Sequence, residues 1–106
     1  MPWLAEERAE LEQAKLACVG KEALVIAGRM KTVVRLQEMH IEENGWWAIL
    51  VDSPDRGSPP CKIEFDSDFE QSVSPDYWHF PYLSERYFFD DKLIKEYREN
   101  PDAFCG

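Results

Sequence analysis

His40, His79 and Cys61 are the residues of this chain whose types could do acid–base or nucleophilic chemistry. Gathered with a carboxylate in a cleft, they would supply a general base and a nucleophile, and neither role requires closeness along the chain. The sequence lacks the patterns that lock such residues into a device: H-E-x-x-H, G-x-S-x-G and a glycine-rich phosphate loop are all missing. His40 lies between Glu38 and Glu42 in a strand-like run, where a cross-strand surface role is the simpler expectation. No catalytic residue, metal ligand or cofactor is assigned on these grounds.

Asp66, Asp68 and Glu70 offer carboxylates at alternate positions, as the first ligands of a calcium loop do. Gln71 stands where that loop needs glycine, and Tyr77 where it needs a bidentate glutamate, so the stretch reads as a solvated acidic turn. Residues 77–89, "YWHFPYLSERYFF", hold seven Phe, Trp and Tyr in thirteen positions, more than one small sheet ordinarily needs. At least one ring, Trp78 among them, is expected at a surface or groove, where amphipathic rings serve recognition.

Charge narrows the partner. Residues 1–36 carry five acids and six bases, whereas residues 37–106 carry sixteen acids and six bases, giving the net charge of -9. Nothing supplies the clustered Lys and Arg that a phosphate backbone attracts, so direct nucleic-acid binding is not expected. A basic protein partner is electrostatically easier. The odd, widely spaced Cys18, Cys61 and Cys105 form neither a C-x-x-C pair nor a disulfide framework, which points to reduced thiols in the cytoplasm. Glu6, Glu7, Arg8, Glu10 and Glu12 interrupt any signal-peptide core or membrane span near the N-terminus.

The elements that must position these residues follow from periodicity. Residues 3–18 are rich in helix formers, with Leu4, Leu11, Ala14 and Cys18 near helical spacing and Gly20 suited to end the helix. The stripe is narrow, so the helix should lie across a sheet. "ALVIAGRM" is a β-type run in which Gly28 suggests a bend or bulge. In "KTVVRLQEMHIEE" the alternation changes phase, predicting a bulge near Gln37 and Glu38.

Asn44-Gly45 has the chemistry of a type I′ turn, which would pair Glu42 with Trp47, Ile41 with Ala48 and His40 with Ile49. Met39, Ile41, Trp46, Ala48 and Leu50 then share the core face, and Trp47, Ile49 and Val51 lie opposite Glu38, His40 and Glu42. A three-residue loop with a Gly bulge would change every pairing. Pro54 fits a turn, "CKIEFD" alternates with Cys61, Ile63 and Phe65 inward, and "YWHF" makes a last short strand. "DDKLIKEYREN" reads as a helix capped by Asp90 or Asp91 and stopped before Pro101.

A chain of 106 residues suits one domain. The expected architecture is α+β: an N-terminal helix packed on a curved antiparallel sheet of four to five strands, wrapping the helix or closing into a small barrel, followed by a C-terminal helix. The leading functional expectation is a non-enzymatic interaction protein of inhibitor, immunity or adaptor type. It would dock on a basic partner through Glu38, Glu42, Asp66, Asp68 and Glu70, with Trp47, His40 and Trp78 contributing. The alternative is a cone for a small apolar ligand, lined by Trp47, Ile49, Tyr77 or Trp78 with His40 as polar anchor. An exposed stripe of Trp47, Ile49 and Val51 would be an apolar patch in need of cover, so a homo-oligomer is compatible with either reading.

Overall fold

A computed structural model describes residues 3–53 and 57–101, so the expected turn at Pro54 and the thiol of Cys105 lie outside the described residues. Helix α1 spans Ala5–Cys18, strands β1 to β4 are Glu22–Ala27, Met30–Ile41, Gly45–Asp52 and Cys61–Asp66, and β5 is Ser72–Val73. Strand β6 (Tyr77–Phe80) leads through a short 3-10 turn to β7 (Glu85–Phe88) and helix α2 (Asp91–Glu99). All strands join one antiparallel sheet of seven, in the order β4-β3-β2-β1-β7-β6-β5. The architecture is thus an N-terminal helix, a curled half-barrel sheet and a C-terminal helix.

Connectivity forces the curl. Strands β4 and β5 sit at opposite edges, yet only residues 67–71 join them. Laid flat, seven strands would span about 29 Å, while that connection reaches about 20 Å at full stretch. The edges therefore approach each other. Aromatic rings bridge the hollow: Phe65 on β4 stacks on Phe80 of β6 at 4.3 Å, and Trp46 on β3 meets Trp78 of β6 edge-on at 5.3 Å. These rings, with Leu36, Met39, Tyr87 and Phe89, fill the concave side.

Helix α1 closes that side with the narrow stripe Leu11, Ala14 and Cys18, as its spacing predicts, while Leu4 is exposed at the helix start. The Trp3 indole donates to Glu42 O and Gly45 O at 3.1 and 3.2 Å, pinning the helix entry to the β2–β3 loop. Gly20, just past the helix, takes the left-handed φ of 89° that suits glycine. Helix α2 covers the convex side over β1, with Ile94 packed on Leu24 and Val33. Asp90 caps it, accepting from the Lys92 and Leu93 amides at 3.0 and 3.2 Å.

Three local expectations change. Gly28 makes the bend and not the bulge of the expected pair, and it splits the run in two: with φ of 61° it opens the Gly28-Arg29 turn between β1 and β2, which pair Ala27 with Met30. Strands β5 and β7 add to the five legible in sequence, and β7 pairs with β1 in mid-sheet. The β2–β3 hairpin pairs Ile41 with Trp46, His40 with Trp47 and Met39 with Ala48, two residues off the type I′ register. Neither Asn44 nor Gly45 has positive φ. Gly45 serves close approach instead, since a Cβ there would lie 2.4 Å from Phe65 O. The shift is even, so every face assignment survives. The expected bulge falls between Leu36 and Glu38.

Candidate functional site

Alternation along β2, β3 and β4 sends Glu38, His40, Trp47, Ile49, Lys62 and Glu64 to the convex face, beyond the part that α2 covers. Trp47 is half-buried because its neighbours clasp it. The His40 ring stacks on it at 4.2 Å, and Lys62 Nζ stands 4.7 Å from its centre. Lys62 also bridges to Glu64 at 2.8 Å, and His40 Nε2 lies 3.7 Å from Glu38 Oε2. Trp47 is thus a preorganised aromatic plate among charges of both signs.

Where this face meets the β2–β3 loop, a cleft of about 630 Å³ opens. Its walls hold Trp46, Trp47, Phe65, Phe69 and Leu83, and Glu42, Glu43, Glu64 and Asp66 supply its carboxylates. No lysine or arginine lines it among the described residues. The Gln71 side chain stitches the cleft floor, donating to Asp66 O and Phe69 O at 3.0 and 3.1 Å and accepting from the Trp46 indole at 2.6 Å. The amide of Ser67 donates to Asn44 O at 2.7 Å, tying the end of β4 to the hairpin loop.

Of the residues singled out from sequence, Glu42, Asp66 and Trp47 line this cleft, and Glu38 and His40 lie on the adjoining convex face. Asp68 and Glu70 are exposed on the β4–β5 connection but do not line it. Trp78 is 0% exposed, with its indole donating to Ser74 O at 3.1 Å. That burial removes it from any surface a partner reaches. Glu43, Glu64, Phe69 and Leu83 were not anticipated. Glu64 had a signal, its water-facing place in "CKIEFD", but its meeting with Leu83 depends on the curl.

The cone for a small ligand is not formed as expected. Trp47, Ile49 and Tyr77 stand on the convex face while Trp78 is on the concave one, where packed rings fill the hollow. The catalytic grouping is not assembled either. Cys61 points to the concave side opposite Leu50, His40 to the convex side, and His79 lies on β6 with β1 and β7 between. Among the described residues no three potential metal ligands converge, and no helix is long and apolar enough to cross a membrane.

The perturbed ionisable groups lie elsewhere. Burial pushes the Cys18 thiol up to about 11, and its Sγ donates to Pro75 O at 3.0 Å. Burial raises the Tyr87 hydroxyl, with the Glu85 charge adding to it, and burial alone raises Glu85. Hydrogen bonds from Arg98, then Ser53, hold Glu22 below the ordinary carboxylate value. These groups serve the core and the α2 contact. Cys18 and Cys61 are both free thiols.

The chain matches no family model, no curated protein and no solved structure.

Proposed function

We propose that this protein is a non-enzymatic interaction module that receives a basic segment of a partner protein in the cleft beside the β2–β3 loop. The observation that carries this reading is the lining: Glu42, Glu43, Glu64 and Asp66 over aromatic walls, with no cation among the described lining residues. Carboxylates at a cleft mouth steer a cationic group inward and penalise an acidic competitor. The walls then give an incoming Arg or Lys stem apolar and π surface, which supplies affinity that charge alone does not. Lys62 already rests over the Trp47 ring at 4.7 Å and bridges Glu64 at 2.8 Å, so an incoming cation competes with it at those two residues.

The test uses the whole chain and a ten-residue peptide of alternating Arg, Lys and Gly, titrated at physiological salt and followed by amide and indole NMR. The expected result is saturable shifts at Asn44, Gly45, Asp66 and the Trp47 indole, lost when Glu42, Glu43 and Asp66 become Gln, Gln and Asn. Shifts spread equally over the acidic residues of α1, or unaffected by those substitutions, would remove the cleft from the reading.

A further inference from the structure

Strand β4 ends the sheet on one side, and the other edge, β5, has only the residues Ser72–Val73. An edge strand presents a row of backbone groups ready to pair with another chain. The direction of those groups on β4 follows from two hydrogen bonds. Ser67 N donates to Asn44 O on the β3 side, while Asp66 O turns the other way and accepts from Phe69 N and Gln71 Nε2. Alternation then turns the backbone of Cys61, Ile63 and Phe65 toward β3 and that of Lys62, Glu64 and Asp66 toward the open edge.

We propose that two copies of this chain pair antiparallel through β4, with Ile63 opposite Ile63 of the second copy on the two-fold axis. Three features select this occupant and register. Opposed residues must share a face, which leaves two-fold registers centred on Lys62, Ile63, Glu64 or a neighbour further along. Centring on Lys62 sets two lysines directly opposite, and centring on Glu64 sets two glutamates opposite. Centring on Ile63 places each Lys62 against the other copy's Glu64, so both charged pairs are attractive.

The backbone agrees with the charges. In this register Lys62 and Glu64 exchange main-chain hydrogen bonds with their counterparts, and Asp66 falls opposite Pro60 of the second copy. Pro60 has no N–H to give, and Asp66 O, already bonded to Phe69 and Gln71, needs none. The ladder therefore stops without leaving a donor or acceptor stranded at that position. Centring on Glu64 would instead demand that same Asp66 oxygen for a bond from Lys62. Concave-side contacts add Ile63 on Ile63, with Cys61 beside Phe65 of the other copy. Such a two-fold contact is self-complementary and closes, so it yields a dimer rather than a filament.

Glu64 also lines the cleft, so the variants that test pairing differ from the Glu42, Glu43 and Asp66 set that tests partner binding. Light scattering after size exclusion, at physiological salt where the net charge of -9 is screened beyond about 8 Å, reads the mass. Wild type should show a dimer fraction that grows with concentration. Lys62→Glu alone and Glu64→Lys alone should each be monomeric with unchanged circular dichroism. An equimolar mixture of the two should dimerise again, as should the double swap in one chain. Ile63→Cys in a Cys61→Ser background should oxidise to a covalent dimer, because opposed residues of that pair type sit about 4.5 Å apart at Cα, within disulfide reach. A monomer at all concentrations with no cross-link through the introduced thiol, or a dimer indifferent to the single reversals, would overturn the proposal.

Discussion

Trp46 and Trp47 are neighbours in the chain and opposites in the fold. Trp46 is 2% exposed inside the curl, in contact with Phe65, Trp78 and Phe80, and its indole is satisfied by Gln71. Trp47 lies outside, half-covered by a histidine and a lysine that are themselves exposed. The concave face is thus specified by ring packing across strands distant in sheet order. The convex face divides into a part sealed by α2 and a part left to polar contacts. Identity of residue type says nothing about role here; strand phase decides it.

Truncation would test the contrast most strongly. Trp46→Ala should cost about 3–5 kcal/mol, the range for a buried aromatic, and leaves Gln71 Oε1 without its donor. Trp47→Ala should cost about 1 kcal/mol, the scale of a stacked pair and an exposed cation–π contact. Urea titration of both variants reads the difference, and equal losses would mean that the convex face carries as much of the fold as the concave one.

Two glycines extend the comparison from side chains to backbone. Gly45 lies against the β4 backbone, and its missing Cβ leaves room for Phe65 O at 2.4 Å from the Cβ position. Gly28 has open space around it but a left-handed φ of 61°. Gly45→Ala forces backbone apart in the sheet and should cost about 1–3 kcal/mol, as overpacking does. Gly28→Ala costs about 1 kcal/mol of conformational strain and leaves packing untouched. Denaturant midpoints should rank them in that order. In amide exchange, Gly45→Ala should also loosen the β3–β4 pairs, an effect that Gly28→Ala should lack.

These same glycines mark the boundary of what the sequence discloses. The faces of the hairpin are legible because apolar alternation on both strands fixes phase, and phase survives an even shift of register. The partners are not legible, since Asn44-Gly45 looks like a positive-φ turn while Gly45 actually answers to Phe65, twenty positions away. Strand β7 hides for a related reason. Its four residues, Glu85–Phe88, give too short a pattern, and they become a strand by pairing with β1. The cleft divides likewise: Glu42 and Asp66 stand out by charge and Trp47 by phase, whereas Leu83 joins them only because the sheet curls.

The smallest expected effect concerns the part of the convex face that α2 seals. Arg98 on α2 donates to Glu22 of β1 at 2.6 and 3.3 Å, and the Ser53 hydroxyl adds a third bond to that carboxylate. These bonds lower the Glu22 pKa in the folded protein, so the unfolded chain binds its proton more readily. The resulting stability is complete above the unfolded carboxylate value and is lost as pH falls through the depressed folded value. With side chains 31% and 42% exposed, solvent screens the pair, and Glu22→Gln should cost about 0.5–1 kcal/mol at neutral pH. Glu85 runs the other way: burial raises its folded pKa, so its charge destabilises at neutral pH and that penalty fades as the solution is acidified. The difference between wild type and Glu22→Gln cancels Glu85 and isolates the bridge. Measured by thermal or urea unfolding, it should be flat from pH 7 down to the unfolded carboxylate range and shrink below it. A difference that stays constant into acid would mean that Glu22 holds α2 through its shape and hydrogen bonds, with its charge contributing nothing.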